Sequence, residues 1–189
     1  MKSGVRAVGV AASDGATAGD PSVLCGAVVR ADRVVDGFAF DTCTVGGTDA
    51  TSAVASLLTT LDREDVRYVL VSGVAPAWFN LVDLDRLAAT VDRPVVSVSF
   101  EESSGLEPAL REAFEGVALE RRLATYRRLP PRRRVVVNDE TVFLRGVGCD
   151  DAEATEVVRA FTPEGGRPEP LRVARLAARG ARRWQLGDG

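Results

Sequence analysis

A chain of 189 residues, 46% hydrophobic and 27% charged, has the apolar mass for one globular domain spanning residues 1–189, and no run of about eighteen apolar residues that would cross a membrane. Histidine is absent, which excludes Ser-His-Asp and Cys-His catalysis and histidine metal ligands. Cys25, Cys43 and Cys149 are odd in number with no CxxC pair, which argues against structural zinc and a disulfide framework. The net charge of −3 divides unevenly, with 9 Lys plus Arg against 17 Asp plus Glu in residues 1–118 and 15 against 10 in residues 119–189. Such a division suits a metal site beside a polyanion-binding surface, and equally suits ordinary surface charge variation.

The opening MKSGVRAVGV lacks the layout of a signal peptide, so a cytoplasmic protein is expected. Residues 5–12 (VRAVGVAA), 22–30 (SVLCGAVVR) and 33–40 (RVVDGFAF) read as three strands. Ala31-Asp32 suits a two-residue hairpin, giving an antiparallel meander. Gly46-Gly47 breaks the chain, and Thr48 and Asp49 are good N-cap residues for a helix with apolar positions 53, 54, 57, 58 and 61. Residues 67–74 read as a buried strand, 81–91 as a helix and 94–100 as another buried strand, so parallel crossover packing follows. Two short helices come next (GLEPALREAFEG and ALERRLATYRRL), then a hairpin turning at Asn138-Asp139-Glu140, a helix over 150–160 and a C-terminal helix over 168–186. The expected fold is α/β: an antiparallel three-strand meander followed by parallel strands, flanked by helices.

Four stretches carry candidate chemistry. Asp14 follows the first strand before Gly15, and is either a metal ligand at a strand end or a turn residue. Asp41 and Asp49 bracket the strand-to-helix passage, and either join Asp14 around Mg²⁺ or serve as strand-end and capping residues. Trp78 and Phe79, with Asn80 and Asp83, lie in a loop after a buried strand, where open α/β sheets place their sites. They either wall a displaced base and hold a metal, or Trp78 and Phe79 cap the core and Asn80 caps the helix. Residues 121–134 contain seven arginines, and the last helix carries Arg172, Arg175, Arg179, Arg182 and Arg183 largely at three- and four-residue steps. Such stripes suit phosphate contact, and also suit solvated faces and ion pairs.

DGFAFDTCTVGGTDAT, GVAPAWFNLVDLDRL and the run from Thr162 to Ala174 with Pro168-Glu169-Pro170-Leu171-Arg172-Val173-Ala174 resemble, in order, segments of an archaeal family related to endonuclease V. The resemblance implies a ribonuclease H-like fold and a Mg²⁺-dependent phosphodiester hydrolase (Mn²⁺ substituting) acting on DNA or RNA, some members being described as cutting at deoxyuridine. It also implies a DNA-repair role. Carried onto this chain, it gives Asp14, Asp41 and Asp49 as catalytic residues and Asp14, Asp49 and Asp83 as metal ligands. Trp78, Phe79, Asn80, Arg172 and Arg175 become substrate contacts, and a homodimer is a further expectation. Departures from the family pattern support a second reading, a catalytically silent nucleic-acid-binding or assembly module. Ala11-Ala12 stands where the family reads Asp-Asp, Ser72-Gly73 ends the strand where endonuclease V carries an aspartate, and Arg175 replaces the family's histidine.

Overall fold

The structure is a computed structural model that describes residues 1–13 and 17–187. The elements in chain order are β1 (Arg6–Ala12), β2 (Pro21–Arg30), β3 (Val35–Thr44), α1 (Ala50–Leu61), β4 (Val66–Ser72), α2 (Leu84–Val91) and β5 (Val95–Ser99). They continue with α3 (Glu107–Ala113), α4 (Gly116–Arg128), β6 (Arg133–Val137), β7 (Glu140–Val147), α5 (Asp151–Ala160) and α6 (Glu169–Leu186). A seven-stranded sheet runs in the order β3-β2-β1-β4-β5-β7-β6. β1, β4 and β5 are parallel neighbours, and β2, β3, β6 and β7 join antiparallel.

The meander, the crossovers and the β6–β7 hairpin are those expected. The β2–β3 connection is not a two-residue turn. Its hydrogen bonds span Arg30 to Val34, Arg33 takes φ +73, and a register shift falls between Val28 and Val29. The β6–β7 turn does close on two residues: Asn138 and Asp139 sit at φ +47 and +67, the left-handed pair of a type I′ hairpin.

Alternation along the strands divides the core. Val8 and Val10 of β1, Leu24 and Val28 of β2, and Val69 and Val71 of β4 face α1 and α2. Ala7, Leu70, Val96, Val98 and Leu144 face α5 and the start of α6. α6 lies against β1 and β2 through a seam of small residues, Ala11, Ala27 and Ala174. It leaves β3 bare on that side, and Phe38 and Phe40 stack there at 6.3 Å, each about half exposed. Among the described residues no helix is long and apolar enough to cross a membrane.

Candidate nucleic-acid interface

β1 and β4 run side by side and end together at Ala12 and Ser72. A cleft at these ends is lined by Ala12, Ser13, Ser72, Trp78 and Arg175. Arg175 reaches it because the first turn of α6 presses onto β1 at Gly9, so that Ala174 packs against Ala11 and the next side chain arrives at the strand ends. Ser13 is buried. Its Oγ accepts from the Val23 N–H at 3.0 Å and lies 3.3 Å from Ser22 Oγ, so it closes the floor.

The wall of the cleft is the loop after β4. Trp78 and Phe79 both take left-handed backbone angles, φ +48 and +60, which cost side-chain-bearing residues about 1 kcal/mol or more each. The loop holds this conformation because three rings lock together. Trp78, Phe79 and Phe114 have centroids 5.3 to 6.0 Å apart. Gly46 lies beneath: a Cβ there would stand 2.6 Å from the Trp78 ring. Trp78 remains 49% exposed, an apolar face presented at the strand ends.

Arg122 ties this assembly together. It is buried, and its guanidinium donates to the carbonyls of Phe79, Gly46 and Gly47 and to Ala118 of its own helix, while lying 3.8 Å over the Phe114 ring. The sequence places Arg122 in a phosphate-contacting stripe, but the structure makes it an internal brace. Its neighbours divide similarly. Arg127 pairs with Glu107, Arg128 with Asp83 and Arg133 with Asp151, so three of the seven arginines in 121–134 are matched by acids. In α6, Arg172 pairs with Glu169 at 2.6 and 2.7 Å, while Arg175 lines the cleft.

The acidic expectations fare differently. Asp14 lies outside the described residues. Asp41, on β3 opposite Leu24, accepts from the Thr42 N–H at 2.8 Å. Asp49 occupies the N-cap position of α1, but its carboxylate turns back to the Thr44 N–H and hydroxyl and to the Asn80 amide, at 2.6 to 3.2 Å. Asn80 is fully buried: its Oδ1 accepts the Ala50 N–H at 2.9 Å, and its amide also donates to the Thr44 carbonyl at 2.8 Å. Asn80 therefore caps α1 from a distance and supports the aromatic wall from behind, and it does not line it. Asp83 caps α2 through the Arg86 N–H and pairs with Arg128 at 3.0 Å. Among the described residues no three Asp, Glu or Cys groups converge to hold a cation. Both oxygens of Asp49 and of Asp83 already have protein partners, so the described residues do not fit a Mg²⁺ site. The thiols do not help. Burial pushes Cys43 up to about 12, with the charges of Asp49 and Asp41 adding to it, and Cys25 rises to about 12 by burial alone.

Burial opposes the charge on Asp49, yet the donors of Asn80 and Thr44 outweigh it and hold the carboxyl below its ordinary range. A folded pKa below the unfolded one gives stability that is full above the unfolded value of about 4 and is lost as pH falls through the folded value. The stability gap between the native chain and Asp49→Asn, read from urea midpoints, should be widest above about pH 4 and close as pH drops below it.

The cleft opens, through Ser72 and Arg175, into a larger cavity of about 340 Å³ over the ends of β4 and β5, where Arg132, Arg145 and Arg167 also converge. Arg132 belongs to the basic run 121–134, but sequence reading missed Arg145 and Arg167. Those two come from the middle of β7 and from the turn before α6, and nothing in the linear pattern joins them to the run.

A family model described as Endonuclease dU matches residues 3–182. The chain belongs to the endonuclease dU family. A UPF0215 protein of Pyrobaculum aerophilum is 36% identical over 165 residues, 86% of this chain and 87% of the relative. A crystal structure of a protein of unknown function from Archaeoglobus fulgidus superposes with TM-score 0.80 at 24% identity, covering 94% of this chain and 98% of that one. Endonuclease V of Ciona intestinalis, crystallised with a 23mer DNA containing an inosine, superposes with TM-score 0.62 at 13% identity, covering 93% and 84%. The fold is thus that of endonuclease V, as the ribonuclease H-like expectation has it. In this endonuclease dU family member, the described ends of β1 and β4 carry alanine and serine, and the neighbouring charge is cationic.

Proposed function

We propose that this protein binds a DNA or RNA strand across the ends of β1 and β4 and acts there as a phosphodiester hydrolase, next to a deaminated base such as deoxyuridine. The observation that carries the binding is the cleft at the strand ends that a half-exposed Trp78 and Arg175 both line. An aromatic face stacks any base, worth about 1–3 kcal/mol per base, and a guanidinium meets its phosphate. Arg175, with Arg167 beyond it, is placed to neutralise charge on the non-bridging phosphate oxygens. Membership of the endonuclease dU family supports the cutting, and the inosine-containing DNA held by the Ciona relative is consistent with a deaminated base as the target.

A second reading, binding without cutting, is favoured by Ala11, Ala12 and Ser72, which bring no carboxylate to the strand ends. One experiment separates the two. Labelled oligonucleotides with a single deoxyuridine, or with thymidine in its place, are incubated with Mg²⁺, with Mn²⁺ or with chelator, and followed by fluorescence anisotropy and by gel. The expected result is preferential binding of the deoxyuridine strand, a cut beside that base, and about tenfold weaker binding by Trp78→Ala. Binding with no cut under any condition replaces the hydrolase by the silent module. Absence of binding, or binding indifferent to Trp78→Ala, removes the interface.

A further inference from the structure

The cavity of about 340 Å³ over the ends of β4 and β5 has the dimensions of a small-ligand site. Four guanidiniums line it, from Arg132, Arg145, Arg167 and Arg175, against a single carboxylate, Glu101. Three of them are seated on aromatic faces, and Arg132 and Arg145 also on carbonyls. Arg132 lies 3.8 Å over Phe143 and donates to Ser103 at 3.1 Å and to the Glu101 carbonyl. Arg145 lies 5.4 Å from the Tyr126 ring centre, donating to its hydroxyl and to the Pro130 carbonyl. Arg167 lies 3.8 Å over Phe100. Among the described residues none of these three forms an ion pair, while the arginines around them do, with Glu107, Asp83, Asp151 and Glu169.

This arrangement is expensive when empty. Burial lowers the proton affinity of Arg145 and of Arg167, and the like charges of Arg132 and Arg175 press in the same direction. Nη1 of Arg167 is buried with no hydrogen-bond partner at all. A buried, unpartnered donor on a cation crowded by a second cation is stabilised when an anion enters. The size of that anion's charge follows from the balance. Among the described residues, the three guanidiniums without an ion pair, against one carboxylate, leave about two positive charges. A phosphodiester supplies one negative charge, and a phosphomonoester about 1.5 to 2 with three acceptor oxygens. Ser97 and Ser99 add hydroxyls on the sheet side, and the Trp78 cleft adjoins through Ser72 and Arg175, leaving room for a base and sugar beside the phosphate.

We infer that this cavity is a phosphomonoester site, holding the terminal phosphate of a nucleotide by guanidiniums alone, without a divalent cation. The inference goes beyond strand binding at the β1 and β4 ends, since a free mononucleotide satisfies it even if no strand is held.

The test uses the full chain in chelator at matched ionic strength, with chloride as the only other anion. Melting temperature and calorimetric titration are followed with uridine 5′-monophosphate, with uridine, and with one oligonucleotide bearing either a 5′-phosphate or a 5′-hydroxyl. A rise in melting temperature with uridine monophosphate and none with uridine is expected, as mass action requires of a ligand that binds the folded state. A tenfold or larger preference for the phosphorylated oligonucleotide would identify a strand end as the source. Binding of the mononucleotide without that preference would identify the free nucleotide. Arg167→Gln removes the crowded charge, so the ligand-free variant should melt no lower than the native chain while its affinity for the phosphate falls at least tenfold. No response to either phosphomonoester, a response that needs Mg²⁺, or an Arg167→Gln variant that binds as well as the native chain overturns the assignment. Strand binding that is absent, or unchanged in Trp78→Ala, with the mononucleotide response intact would overturn the strand reading alone.

Discussion

Gly9→Ala is expected to leave little or no natively folded protein. A Cβ at position 9 would stand 2.2 Å from the carbonyl carbon of Pro170, 2.3 Å from its oxygen and 2.6 Å from the Leu171 nitrogen. All three are backbone atoms, so no rotamer change relieves the clash. α6 would have to lift from β1, and it buries Leu171, Ala174 and Ala178 there. Overpacking a tight contact costs about 1–3 kcal/mol when side chains can move, and more when only backbone can. The loss should exceed about 4 kcal/mol, a large part of the stability of most domains. Hydrogen exchange on whatever soluble fraction remains should show α6 amides exchanging first, with β4 and β5 still protected. Native-like protection in α6 would mean that the helix does not lie as close to β1 as described.

Arg122→Leu carries the second large effect, and it reaches the interface as well as stability. The substitution keeps apolar contact with Phe114 but removes the donors to Gly46, Gly47 and Phe79. Bonds from a charged donor contribute about 1.5–3 kcal/mol each, non-additively, and carbonyls left buried and unpaired cost more. A loss of about 3 kcal/mol or more is expected, which for a chain of this length lowers the melting temperature by roughly 6–12 °C. Arg122→Lys should rescue little, because a single ammonium cannot span three carbonyls as the planar fork does. Since Gly46 and Phe79 frame Trp78, binding of a deoxyuridine strand should weaken together with stability. A variant that melts normally would show that the Trp78–Phe79 loop is held by the ring cluster alone.

The architecture was legible because alternation, glycine breaks and capping residues are local signals. The apolar run of β1, the Gly46-Gly47 break and the Asn138-Asp139 turn each declare themselves within a few residues. The site was legible only where it rests on contiguous chain, as at Trp78-Phe79. Asp49 illustrates the limit. Its position at the start of α1 was readable, but whether its carboxylate faces a cation or Asn80 depends on a residue thirty-one positions on. The arginines mislead for the same reason. Composition marks a basic half, yet Arg127, Arg128 and Arg133 are matched by acids from elsewhere, while Arg132, Arg145 and Arg167, dispersed in sequence, share one cavity. Sheet order brings them together, and no spacing rule encodes it.

The most direct measurement is a crystal structure of the protein with a deoxyuridine-containing oligonucleotide. It should place a base against Trp78, a phosphate within hydrogen-bonding distance of Arg175, and any terminal phosphate among Arg132, Arg145 and Arg167. An oligonucleotide seated on another face, with the ends of β1 and β4 left to solvent, would contradict the account.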